Sequence, residues 1–321
     1  MASFKFGDLV KAKKHTKLFG ILAVCLIAIV TGVAVGKIFV DTSVVAQSIS
    51  GTYRDYQDSD EDIAALVKKS HSAMPSSFSA YEVFEIAQYK LYNSENFYAV
   101  MQGVVTPSMG SKQNQVTTAV KTGNNFVMNK LSPGGVIVGI DTNVTVLTKY
   151  DISAGKVSVN AKGTWTDRGK TTMSATYDDA TAVNYTLAEY EDKFGKQPTM
   201  AILYVVSSIT CGQGNYTAVK KDGDGNYTFS VTITDSHLYA AGIYYTKDVE
   251  FSSGGKPAWK SLTITAIVDS NFNFKSIRYQ DSYVMSMMSV NATVVDDFTQ
   301  KFYFDLDSIP EEDAFFVGEV L

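Results

Sequence analysis

The 321-residue sequence carries 28 Lys and Arg against 33 Asp and Glu, a net charge of −5, with 45% apolar and 19% charged residues. That length holds one large or two modest domains, and the composition is that of a globular rather than a disordered chain. The negative balance gives no electrostatic basis for a nucleic-acid partner, and with only Arg54, Arg168 and Arg278 a clamp of guanidinium groups on phosphate is disfavoured.

Two cysteines, Cys25 and Cys211, exclude a disulfide scaffold and a zinc site of the CxxC type. His15, His71 and His237 stand far apart. No metal and no cofactor is expected.

Leu18 to Gly36, LFGILAVCLIAIVTGVAVG, contains no charge and as a helix covers about 28 Å, the depth of a bilayer core. Before it come Lys5, Lys11, Lys13, Lys14 and Lys17 against Asp8. After it come Asp41, Asp55, Asp58, Asp60, Glu61 and Asp62 against Lys37 and Arg54. The positive-inside rule places the N-terminus in the cytoplasm and the rest outside. Lipidation at Cys25 is disfavoured, because Val24 precedes the cysteine and LIAIV follows it. Cleavage after Ala34-Val35-Gly36 or Val44-Val45-Ala46 competes with retention, but the apolar run exceeds a signal-peptide core. A retained anchor is the favoured reading: a cytoplasmic tail at 1–17, a transmembrane segment at 18–36 and a polar linker at 37–59. The cell membrane is then the first partner.

Two helices should follow. Ser59 with Asp62 opens DEDIAALVKKS, with Ile63, Leu66 and Val67 on one face. Ser79 with Glu82 forms a capping box ahead of YEVFEIAQYKLY, where Phe84, Ala87 and Leu91 share a side. From Asn96 the apolar period changes to two. Strands are expected in NFYAVMQGVV, NQVTTAVKT, NFVMNKL, GVIVGI, VTVLTKY, KVSVNAKGTWT and TTMSATY, separated by turns at SPGG, DTN, SAGK and DRGK.

A short helix, LAEYEDKFG, carries Leu187, Tyr190 and Phe194 on one side and stops at Gly195. A hairpin follows, whose second arm points Tyr227, Phe229, Val231 and Ile233 one way and Thr228, Ser230, Thr232 and Thr234 the other. The helix SHLYAAGIYYT leads to three closing strands, SLTITAIVD, FKSIRYQDSYVMSMM and QKFYFDL, the last placing Phe302, Phe304 and Leu306 together.

No catalytic constellation emerges. Asp222-Gly-Asp224-Gly-Asn226 begins like a calcium loop but has Tyr227 and Ile233 where Gly and Glu are required, so it reads as a hairpin turn. Ser153-x-x-Lys156, Ser253-x-x-Lys256 and Lys121-Thr122-Gly123 stand in the wrong order for a β-lactamase. Asp235-Ser236-His237 is adjacent only in sequence, and Asp235 or Ser236 suits a helix cap better. Cys211 has no basic neighbour before Lys220 and reads as a buried or loop cysteine. Sequons at Asn143, Asn184, Asn215, Asn226 and Asn291 matter only in a eukaryotic secretory pathway. The chain is therefore not expected to be an enzyme. The 19 Tyr and 18 Phe suit a sheet core first and an apolar ligand cavity second.

An export segment, a helix ending in LYNSENFYAVMQGVV, a long meander, a hairpin, a helix and three closing strands make up an order that resembles one known group. It is the superfamily of the periplasmic outer-membrane lipoprotein carrier LolA and its lipoprotein relatives. KPAWKSLTITAIVDSNFNFKSIRYQDSYVMSM resembles the closing strands of Gram-positive secreted members. The resemblance covers roughly residues 60 to 310 as a pattern of elements. It implies an α+β fold, a large curved antiparallel sheet (a half β-barrel) packed on a few helices over 60–321, here with one N-terminal transmembrane helix. It also implies a concave face sheltering a lipid or another apolar ligand, such as a lipoprotein acyl chain, and no functional residue is carried over by position.

Apolar lining is expected from Phe229, Val231, Ile233, Met285, Met287 and Phe304. Methionine suits irregular ligand surfaces. The alternative is a structural or sensory ectodomain that binds a protein or wall polymer and fills the sheet with its own side chains.

Overall fold

The period-two segments pair into one antiparallel sheet in a computed structural model that describes residues 53–108, 112–137, 140–167, 170–175, 182–212, 214–233, 238–243, 257–287 and 290–315. The apolar segment 18–36, the tail before it and most of the linker lie outside the described residues, as do Asp235 and Ser236. Among the described residues no helix is long and apolar enough to cross a membrane.

A first meander comprises β1 (Asn96–Pro107), β2 (Gln113–Thr122), β3 (Asn125–Ile137), β4 (Ile140–Asp151), β5 (Lys156–Asp167) and β6 (Lys170–Ala175). β7 (Val183–Thr186) shares the outer edge of β5 with β6. The second meander comprises β8 (Lys220–Lys221), β9 (Tyr227–Thr232), β10 (Ala258–Val268), β11 (Phe274–Met287) and β12 (Val290–Tyr303). β1 pairs with β12 and joins the halves, giving the order β6-β5-β4-β3-β2-β1-β12-β11-β10-β9-β8. The end strands do not pair with each other, so the curved sheet stays unclosed, a half-barrel.

Helices fill its hollow. α1 (Asp60–Ser70) is capped by Ser59, and α2 (Ala80–Asn93) by the Ser79–Glu82 box, in which both the backbone N–H and the hydroxyl of Ser79 donate to Glu82 Oε2. α3 (Leu187–Phe194) starts at the Thr186–Glu189 box and stops at Gly195 with φ 91°, a left-handed cap that glycine adopts without strain. Single turns α4 (Ser208–Cys211) and α5 (Leu238–Ala241) complete the layer.

α2 is the centre of the core. Ala80, Val83, Phe84, Ile86, Ala87 and Leu91 are all fully buried. The Phe84 ring meets Phe274 edge-on at 5.0 Å, and Phe274 stacks on Phe302 at 5.4 Å. A smaller cluster lies on the outer face, where Tyr98, Val100 and Val120 are covered by Leu306, Ile309 and Phe315. This strap is held by buried Asp313, which accepts from Lys301 Nζ at 2.7 Å and from the Tyr303 hydroxyl.

Several expectations change. SPGG and DTN do not break strands: β3 runs through Pro133 with a register shift before Val136, and Asp141–Asn143 pair within β4. A bulge takes up the proline and its two glycines, and pairing on both sides of β4 overrides the turn propensity of DTN. The last strand starts at Val290 rather than near Gln300. It ends before Phe304, so Phe302 joins the main core while Leu306 packs in the outer cluster. Ordered packing also reaches back into the linker, since Tyr53 is buried and its N–H donates to Gly195 O at 2.8 Å.

Gly103 in β1 faces Phe298 of β12. A Cβ there would lie 2.2 Å from the Asp297 carbonyl oxygen and 2.6 Å from Phe298 Cα, both backbone atoms that cannot swing away. Gly103→Ala should therefore cost about 2 kcal/mol or more, since overpacking against backbone forces the strands apart. A midpoint shift in urea unfolding, with the slope unchanged, is the expected result.

Candidate functional site

Antiparallel pairing lines up side chains in rows across the concave face, because alternate residues of each strand point inward. One row runs Gln113, Val105, Asp296, Asp281 and Leu262 from β2 to β10. The next runs Gln115, Gly103, Phe298, Tyr279, Ile264 and Val231. A third runs Met101, Gln300, Ile277, Ala266 and Phe229. The wall is apolar and aromatic along β9 and β10 and becomes polar toward β12 and β2.

At its centre is a pair of acids. Asp281 and Asp296 are direct cross-strand neighbours, 3% and 7% exposed. The Tyr204 hydroxyl donates to Asp281 Oδ2, and Tyr283 hydrogen-bonds Asp296. The Tyr204 ring lies 5.1 Å from that of Tyr279, whose hydroxyl donates to Gln300 Oε1 at 3.0 Å. The two carboxyls also hydrogen-bond each other, while in the next row Gln115 Nε2 is buried with no hydrogen-bond partner.

Burial raises both carboxyl pKa values, and the charge of Asp281 raises that of Asp296 further. Two like charges side by side in a dry interior do not both ionise, so the pair retains a proton well above the ordinary carboxylate range. That proton is shared between the two carboxyls, so the pair presents acceptor oxygens to the wall around it.

The expected lining residues divide. Phe229, Val231 and Ile233 are at most 2% exposed and belong to the main core. Phe304 lies just past β12 and packs partly buried against that core. Met285 and Met287 end β11 in register with Ala292 and Val290, and their side chains lie outside the described ones. The acid pair escaped the sequence reading although a signal was present: counting by two from Ile277 and Tyr279 reaches Asp281, and from Phe302 and Phe298 reaches Asp296. Cys211 is buried in α4, and burial pushes its thiol up to about 11, so it is an inert core cysteine. Asp222 Oδ1 accepts from the Asp224 and Asn226 N–H groups, which makes that segment a turn. Among the described residues no group of three or more His, Cys, Asp or Glu is arranged to hold a metal.

No family model and no curated protein matches the chain. Solved structures similar in part include the following two. One is a beta-barrel-like protein of a domain of unknown function from Brucella abortus, 8% identical, covering 65% of this chain and 98% of its own, with a TM-score of 0.26. The other is a LolA superfamily protein from Nitrosomonas europaea, of the group that the order of elements resembles. It is 11% identical, covers 73% of this chain and 96% of its own, and has a TM-score of 0.22. Superpositions this loose say nothing of function.

The acids yield a pH signature. Their folded pKa values lie above the unfolded ones, so folding takes up protons, and their contribution is fully present below about pH 4 and lost as pH rises through the folded values. Asp296→Asn should therefore stabilise the protein by about 1–3 kcal/mol at pH 8. The gain should shrink toward zero near pH 4, measured by thermal unfolding of both proteins across that range.

Proposed function

We propose that the protein is a membrane-tethered, extracytoplasmic binding protein whose half-barrel takes a lipid or another largely apolar molecule with a polar head, and that it is not an enzyme. One observation carries the reading. The concave wall, apolar along β9 and β10, buries a hydrogen-bonded acid pair, Asp281 and Asp296, beside Gln115, whose Nε2 has no partner. Native interiors rarely leave such a donor unpaired, and a ligand with an apolar body and a hydrogen-bonding head would complete it beside the acid pair. The tether rests on the uncharged segment 18–36 and the lysine-rich flank before it, which together support a cytoplasmic N-terminus.

A second reading has its own support. Phe229, Val231 and Ile233 are already packed to 2% exposure or less, as in a sheet filled by its own side chains. That favours an ectodomain that binds a protein or wall polymer on its surface.

Lipid analysis separates them. The chain from residue 41 onward contains every described strand and the whole described core, and it is to be purified without detergent and extracted for mass spectrometry. About one amphiphile per chain, displaced by a fluorescent fatty acid, is the expected result. Absence of both co-purifying lipid and fatty-acid binding rejects the first reading in favour of the second.

A further inference from the structure

Beneath α2, at the end of the half-barrel away from the acid pair, lies a pocket of about 330 Å³. Its floor and walls come from Gln57, from Glu85 and Tyr92 of α2, from Lys121 of β2, from Tyr150 near the end of β4, and from Gln197. Arg54 and Asp60 stand at its exposed rim, 3.8 Å apart. That volume falls at the lower end of small-molecule sites.

Several polar groups at and behind this pocket are paired within the chain, and among the described residues one buried side chain of its lining is not. The Tyr53 hydroxyl donates to Gln88 Oε1 at 2.8 Å and sits 3.0 Å from the Tyr92 hydroxyl. Lys121 Nζ is spent on the Tyr92 carbonyl at 2.9 Å. Lys196, fully buried behind Tyr53, donates to the Leu203 carbonyl with its ammonium 4.8 Å from the centre of the Tyr53 ring. Glu85 is the exception. It is 1% exposed, lines the pocket, and neither of its carboxyl oxygens has a partner. Its nearest charged influence is another acid, Asp58, which is itself held by the N–H and hydroxyl of Ser208.

We infer that this pocket is a binding site for a small organic cation, with the ligand's ammonium on Glu85 and the tyrosine rings beside it. A buried acid that no cation among the described residues reaches is completed by an incoming one. The neighbouring Tyr92 and Tyr150 offer the aromatic surface that ammonium groups favour once desolvated. An anion fits worse: Lys121 already donates to the Tyr92 carbonyl, and Arg54 lies at the exposed rim beside Asp60. The site goes beyond the proposed half-barrel ligand and stands whether or not that ligand exists.

The test is calorimetric titration of the full chain in phosphatidylglycerol nanodiscs with choline, its uncharged isostere 3,3-dimethyl-1-butanol, and acetate. Choline should bind, the isostere at least tenfold more weakly, and acetate not at all. Glu85→Gln, nearly isosteric, should weaken choline at least tenfold while the circular dichroism spectrum stays unchanged. Should that variant not fold, Gln57→Trp, which fills the pocket from a half-exposed position, must abolish choline binding instead. No choline binding, equal binding of the isostere, preference for acetate, or unaltered affinity in the folded variant would each overturn the site.

Discussion

The structure depends on one helix being buried on more than one side. α2 lies in the hollow of an unclosed sheet, and its apolar face, Val83, Phe84, Ala87 and Leu91, supplies the contacts that a closed barrel would draw from an opposing wall. A sheet of this width, with edges that never meet, has no other way to cover its concave side. The cost of that depth falls on the next face round. Glu85 and Gln88 sit one residue after Phe84 and Ala87 on the same helix, and both are taken out of water. Gln88 finds Tyr53; Glu85 finds nothing.

The same geometry governs the far end of the hollow. A row across the sheet is shared by every strand, so a polar residue at an inward position is buried along with its neighbours. Asp281 and Asp296 occupy one such row, and Gln115 the next. A buried, unsatisfied polar group costs about 1–3 kcal/mol, against a net stability of about 5–15 kcal/mol for an ordinary domain. Gln115 and Glu85 carry such groups, and together they are a sizeable part of that margin. A purely structural sheet gains nothing from them, since apolar residues at the same positions would pack as well. Their retention is accounted for if something other than this chain provides the partners.

Much of the architecture was legible in the residues. The Ser59 start, the Ser79–Glu82 capping box, the Gly195 stop and the alternation of Tyr227, Phe229 and Val231 against Thr228, Ser230 and Thr232 are local signals, and the folded chain obeys them. Local signals also misled where pairing outweighs them. Pro133 and its glycines look like a turn and are a bulge, and β12 starts ten residues before its aromatic end because β1 and β11 flank it over that length. The sites were harder for a different reason. An isolated Asp in a strand reads as a solvent-side residue unless the inward parity is already known, and Asp296-Asp297 presents both choices at once. The structure resolves them: Asp297 faces out and pairs with Arg278 through two hydrogen bonds, and Asp296 faces in.

Glu85 marks the limit of that kind of reading. Helical periodicity assigns it to the flank of the Phe84–Ala87–Leu91 stripe, where a glutamate normally reaches water. Lys121 and Tyr150 of the sheet, the turn at Tyr53–Tyr56 and the segment after Gly195 line the pocket with it. That turn and that segment are tied together by the Tyr53 N–H on Gly195 O. Two segments more than a hundred residues apart thus decide whether this carboxyl is solvated, and they close over it without offering it a hydrogen bond. A pocket assembled in that way is set by tertiary packing alone, and its chemistry follows from the one polar group that the packing leaves unpaired.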